Sequence, residues 1–176
     1  NDLDDYLNEL ERLNNVYGDK IKILKGLEIE YHPKYLSYYK ELVENRGLDY
    51  LALGEHTYIN SHGIMNNIFF ADSTKDYVSY ANAVCEAIRT GLFAFVAHPD
   101  IMFINDLKLD DNSEKACDMI IDCAEENNMI LEFNANGLRR EKRMYPDGIR
   151  YPYPHKAFWE KVSKRNIRVL IGSDNH

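Results

Sequence analysis

The chain has 176 residues, 45% of them hydrophobic and 28% charged, and a formal net charge of −8. That length and balance suit one soluble domain over 1–176 with a real core, and no apolar run is long enough to span a bilayer. The acidic excess argues against a broad nucleic-acid-binding face, but not against an anionic substrate, because bound cations can reverse the local sign.

The opening string NDLDDYLNEL has Leu3, Tyr6, Leu7, Leu10, Leu13 and Val16 at helical spacing, which predicts a helix over 2–17. It is acidic where a signal peptide would be basic, so the expected location is cytoplasmic. A strand is expected from about Ile21 to Glu30, and a helix from Tyr35 to Asn45 that stops at Gly47. A short apolar strand, Asp49 to Gly54, comes next, and residues 56–73 read as irregular. Ser73 is placed to cap a helix from Thr74 to Arg89, with Gly91 behind it. Phe93 to His98 is a strand, Ser113 caps a helix to about Asn127, and Met129 to Asn134 is again a strand. A long loop follows, then a helix over His155 to Arg165 and a last strand, Ile167 to Gly172. Alternating strands and helices indicate parallel βαβ units, and the runs LALG, FAFVA, MILEF and RVLIG suit strands buried on both faces. The loop after Asn134 is long enough to be expected to carry function. The three cysteines, Cys85, Cys117 and Cys123, form no C-x-x-C pair and read as reduced thiols serving as small buried hydrophobes on helices.

Polar residues collect where strands end. FAFVA runs into His98-Pro99-Asp100, LALG into Glu55-His56, and RVLIGS into Asp174 and His176, while the first strand carries Glu28 and Glu30. In α/β barrels and open α/β sheets the active site lies at the carboxyl ends of the strands. Imidazoles and carboxylates gathered there are costly to bury unless a divalent cation joins them. Such a set suits zinc, manganese or iron, and the lack of thiolates argues against a structural zinc. Alternation puts Glu28 and Glu30 on one strand face, so spacing does not choose between them. Glu55 points away from His56, and reads either as a surface group or as a partner that orients a ligand. His32, His62 and His155 read as ordinary hydrogen-bonded or exposed histidines.

At these residues the chain resembles the PHP (polymerase and histidinol phosphatase) superfamily. The resemblance runs through GLEIEYHP, LALGEHTY, FAFVAHPD, LEFNANGLRR and VLIGSDNH. The E-x-E-Y string, the NANGLR loop and the YPYPH segment are similar to the histidinol-phosphatase branch. The resemblance implies a distorted (β/α)7 barrel of the TIM-like kind, incomplete in this chain, with two or three divalent metal ions (zinc, manganese or iron) at the carboxyl ends of its strands. It assigns Glu28 as a carboxylate bridging two metals, His56 and His98 as ligands of the second, and Asp174 and His176 as completing the others. The superfamily's H-x-H pair has no counterpart among the six histidines, His32, His56, His62, His98, His155 and His176. The chain does not begin with Met and stops at His176 directly after an apolar strand, so it is expected to be a piece of a longer protein.

The implied activity is hydrolysis of a small phosphate monoester, L-histidinol phosphate first among them, by metal-bound water and without a protein nucleophile. Arg139 and Arg140 are the expected phosphate contacts, with Arg139 favoured by motif position and Arg143 a further candidate. Tyr153, with Tyr151 and Glu55, is expected to meet the rest of the substrate. The alternatives are another phosphatase or a nucleic-acid phosphodiesterase of the superfamily, or a non-catalytic module.

Overall fold

The computed structural model describes residues 2–174. Five strands form one parallel sheet: β1 (Gly26–Ile29), β2 (Tyr50–Leu53), β5 (Phe93–Val96), β6 (Ile130–Asn134) and β9 (Val169–Gly172), in the order β1-β2-β5-β6-β9. Strand order follows chain order, as in the wall of a barrel, and no strand reverses the winding as in a doubly wound sheet. Among the described residues the sheet stays open, so the barrel is incomplete as expected. Helices α1 (Asp2–Tyr17), α2 (Leu36–Glu44), α3 (Thr74–Arg89), α4 (Asp111–Glu126) and α6 (Lys156–Val162) connect or flank the strands. No helix among the described residues is long and apolar enough to cross a membrane.

The core follows from two periodicities. Leu51, Leu53, Val96 and Leu131 are wholly buried on the sheet. Tyr77, Tyr80, Ala81, Val84 and Ile88 form the buried stripe of α3, and Ala116, Ile120, Ile121 and Ala124 that of α4. Each such aliphatic side chain contributes about 1.5–3 kcal/mol when fully buried. Cys85, Cys117 and Cys123 sit inside this layer as free thiols, and burial pushes Cys85 and Cys117 up to about 12, far from thiolate chemistry at neutral pH.

Local signals explain most boundaries. The Ser73 side chain accepts from Lys75 N and starts α3, and Gly91 takes φ +69 just beyond its end. The cap of α4 is Asp110 rather than the expected Ser113. Asp110 accepts from Asn112 N and Ser113 N, while Ser113 returns a bond to the Asp110 backbone, closing a capping box. The first strand begins only at Gly26, five residues after the expected start at Ile21; Ile21 and Leu24 upstream of it are exposed. Gly26 is required there, because a Cβ would stand 2.2 Å from the Tyr50 ring.

Two stretches expected to be irregular are organised. Residues 56–73 contain an antiparallel hairpin, β3 (Thr57–Ile59) with β4 (Met65–Asn67), and a 3-10 turn, Ile68–Phe70. Its loop is held by Asn60, whose Oδ1 accepts from His62 N and Ile64 N, and by Gly63 at φ +75. The long loop after Asn134 contains the short helix α5 (Asn136–Arg139) and a second hairpin, β7 (Arg143–Tyr145) with β8 (Gly148–Arg150), turned at Pro146-Asp147. Both hairpins are too short for a clear alternating pattern and rest on turn chemistry instead.

Candidate active site

The carboxyl edge of the sheet gathers the expected residues. Glu28, His56, His98 and Asp174 line one cleft of about 200 Å³, together with Phe69, Ile101, Asn136, Arg140 and Tyr153. An adjoining hollow of about 390 Å³ shares Glu28, His56 and Asp174 and adds Glu30 and Gly54. Glu28 comes from β1, His56 follows β2, His98 follows β5 and Asp174 follows β9, so four separate strands deliver one side chain each.

His98 is 3% exposed, and its Nε2 stands 3.0 Å from Glu28 Oε1. Burial works to lower its pKa, but the Glu28 carboxylate outweighs that and holds it above the usual histidine value. Its Nδ1 is buried without a hydrogen-bond partner. The His56 ring lies 4.9 Å from that of His98 and stacks on Phe69 at 5.3 Å. Burial first, then the neighbouring His98, depress the His56 pKa against the pull of Glu30. His56 Nδ1 is 3.0 Å from Glu30 Oε1, and Thr57 Oγ1 donates to the other oxygen. Glu30 thus settles the ambiguity left by strand alternation: it grips His56, and Glu28 faces His98. Glu28 fits only because residue 54 is glycine; a Cβ there would stand 2.1 Å from Glu28 Oε1.

Among the described residues, His98 and Asp174 are two of three non-glycine residues with positive φ, at +34 and +42. Such backbone is strained by about 1–3 kcal/mol per residue and persists only when its surroundings fix it. Both stand where a strand ends and the chain must turn a side chain into the cleft.

The other expected residues divide. Arg140 reaches the cleft, with its guanidinium 5.6 Å over the Tyr153 ring. Arg139 does not line it: its Nη2 donates to Asn136 Oδ1 and to the carbonyls of Ser173 and Asp174, and so braces the end of β9. Motif position favoured Arg139, but Arg139 is the last residue of α5, and Arg140 beyond it takes extended backbone and lines the cleft. Tyr153 is almost wholly buried and lines the cleft, whereas Tyr151 faces a separate hollow under Lys142. Arg143 lies on β7 over Tyr145 and is not in the cleft lining. Glu55 does not line the cleft. It is 1% exposed and accepts from Tyr31 N, Thr57 N and Thr57 Oγ1, tying the ends of β1 and β2 together. Burial pushes it up to about 7 despite those bonds. His176 lies outside the described residues.

Residues not anticipated are Phe69, which forms one wall, and the polar string Glu132, Asn134 and Asn136 on and after β6. The available signal was the E-x-N spacing, which puts Glu132 and Asn134 on one face of β6, while Asn136 opens the short helix that follows.

In donor chemistry the cleft fits a divalent ion: imidazoles, carboxylates and an orphaned buried imidazole nitrogen share one small space. Among the described residues no group of three or more His, Cys, Asp or Glu side chains is already placed to hold one.

The family model described as PHP domain matches residues 1–136. A protein of Deinococcus radiodurans described as probable histidinol-phosphatase is 26% identical over 181 residues, covering 99% of this chain and 65% of that protein. The crystal structure of histidinol phosphate phosphatase from Lactococcus lactis, complexed with Zn, L-histidinol and phosphate, matches with a TM-score of 0.69 at 15% identity. That match covers 98% of this chain and 66% of the other. At that identity the likeness is one of fold. The chain spans just under two thirds of the length of both relatives.

Proposed function

Because this chain belongs to the PHP domain family, we propose that it carries the larger part of a metal-dependent phosphoesterase site that hydrolyses L-histidinol phosphate to L-histidinol and phosphate. The observation that carries the reading is the convergence of Glu28, His56, His98 and Asp174 on one cleft that also holds Arg140. The relatives described as histidinol phosphatases supply the substrate.

In this reading Glu28, His56, His98, Asp174 and His176 hold two or three divalent ions, zinc, manganese or iron. Ions bound there would supply Lewis-acid chemistry toward phosphate oxygens and an attacking water. Glu30 accepts a hydrogen bond from the Nδ1–H of His56, which leaves Nε2 as the nitrogen for ligation, the usual arrangement for a metal-bound histidine. Glu28 meets His98 across the cleft floor. Arg140 binds the phosphate from the open side, where a guanidinium can grip two oxygens at once. The Tyr153 ring beneath it limits its motion by a cation–π contact. Phe69 covers His56 and keeps bulk water from that side. Arg139 acts indirectly, by bracing the Ser173–Asp174 backbone. An organic monoester of this size needs no extended basic track, in keeping with the net charge of −8.

Two variants probe the assignments. Arg140→Ala is expected to lower kcat/KM by about ten- to a hundredfold, ~1.4–2.7 kcal/mol, with bound metal unchanged; unchanged kinetics would remove Arg140 from the phosphate site. Gly54→Ala is expected to push Glu28 off His98 and reduce activity at least about tenfold, and full activity would show that Glu28 has another position to work from. The test of the function is phosphate release from L-histidinol phosphate beside a generic aryl phosphate, by the full-length parent protein supplied with manganese or zinc. A large kcat/KM preference for histidinol phosphate supports the reading. Activity on the aryl ester alone would keep the metal chemistry and overturn the substrate.

A further inference from the structure

The string Glu132-x-Asn134-x-Asn136 connects two of the cleft residues through a continuous chain of hydrogen bonds. Glu132 Oε2 accepts from His98 N at 3.1 Å and from Asn134 Nδ2 at 3.0 Å. Asn134 Oδ1 accepts from Asn136 N at 2.9 Å. Asn136 Nδ2 donates to Asp174 Oδ2 at 3.1 Å. The chain therefore starts two residues beyond β5, crosses β6 and ends two residues beyond β9. Both ends are the left-handed positions described above, His98 and Asp174.

The link is built rather than incidental. Glu132 and Asn134 are buried, at 6% and 0% exposed, and neither lines the cleft. Glu132 lies flat over Gly172, where a Cβ would stand 1.7 Å from its Oε1. The register pairs Glu132 with Leu170 and Asn134 with Gly172, so the carboxylate reaches diagonally onto the next strand. Glu28 does the same on the other side of the sheet: it pairs with Ala52 and lies over Gly54. His98 is thereby held from two directions, with its ring against Glu28 and its backbone N–H against Glu132. A buried carboxylate that did nothing here would be an expensive residue to keep.

We propose that Glu132, Asn134 and Asn136 form a positioning bridge that fixes His98 and Asp174 relative to one another, so that both present their side chains to the same bound ion or ion cluster. The bridge rests on the metal-binding reading above, and it adds three positioning residues that are not themselves ligands. Glu132 works as a hydrogen-bond acceptor, so an uncharged acceptor of the same shape serves in its place. Removing the acceptor frees the His98 backbone from its left-handed position and loosens the site. Partners of this kind typically affect metal affinity by about ten- to a hundredfold.

The experiment measures manganese or zinc affinity of the full-length protein by competition with a chromophoric chelator. The variants are Glu132→Ala, Glu132→Gln and Asn136→Ala, with thermal melting confirming that each is folded at the working temperature. Wild-type protein that binds no metal would overturn the underlying reading itself. With wild-type binding in hand, Glu132→Ala is expected to weaken affinity about ten- to a hundredfold, and Glu132→Gln is expected to restore most of it. Asn136→Ala, which cuts the link to Asp174 and the Arg139 contact to the same side chain but leaves Glu132 on His98, is expected to fall between them. Glu132→Gln as poor as Glu132→Ala would overturn the bridge and make Glu132 a charged ligand. Wild-type affinity in folded Glu132→Ala would overturn it as well. Where Glu132→Ala does not fold, wild-type affinity in Asn136→Ala overturns it.

Discussion

His98→Asn is expected to lower kcat/KM for phosphate release by about a thousandfold or more, ~4 kcal/mol in transition-state terms, and to reduce bound metal. Asparagine is chosen because it tolerates the left-handed backbone that residue 98 adopts, so the fold around it need not change. It removes the ring nitrogen that faces Glu28 and the stacking surface beside His56. It keeps the backbone N–H that Glu132 accepts. Loss of metal and activity with an unchanged melting temperature would therefore report the imidazole and not the loop. Full metal occupancy in this variant, measured by elemental analysis, would take His98 off the ligand set.

The second large effect concerns stability. Asp100, two residues later, is wholly buried and accepts from His155 N and Trp159 Nε1. Burial pushes its carboxyl up to about 6 against the pull of those bonds. It pins the start of α6 to the turn after β5, and His155 in turn caps that helix at Ala157 N and meets Asp147 at 3.0 Å. Asp100→Ala leaves two buried donors without a partner, each worth about 1–3 kcal/mol, for a total of roughly 3 kcal/mol. In a domain of this size that corresponds to a fall of about 6–12 °C in Tm. Asp100→Asn keeps one acceptor oxygen and is expected to cost less than half as much. Thermal and urea unfolding distinguish the two, and an alanine variant within about 1 kcal/mol of wild type would show that water replaces the carboxylate.

The parallel βαβ order and the metal-type residues at strand ends were legible because both rest on local signals. Apolar runs such as LALG and FAFVA declare buried strands, and the residue after each run is forced to the same edge of the sheet. Glu28, His56, His98 and Asp174 accordingly meet in one cleft. Legibility failed where the outcome depends on direction. Arg139 and Arg140 are adjacent and chemically alike, and only the change from helical to extended backbone between them sends one to the β9 carbonyls and the other to the cleft. Glu55 was open between surface and interior because nothing local announces that Tyr31 N and Thr57 N will need its oxygens. The roles of Gly54 and Gly172 were also hidden. Neither has positive φ; each is glycine because a carboxylate from the neighbouring strand occupies the space of its Cβ. The same cross-strand reach concealed the Glu132–Asn134–Asn136 chain, which reads as strand and loop until β5 and β9 are placed on either side.

The most direct measurement of metal-dependent phosphoester hydrolysis at this cleft is phosphate release from L-histidinol phosphate by the full-length parent protein, before chelation, after chelation, and after manganese or zinc is restored. Activity that disappears on chelation and returns with the metal, in wild type but not in His98→Asn, is the expected result. Hydrolysis that continues undiminished in metal-free protein would contradict it.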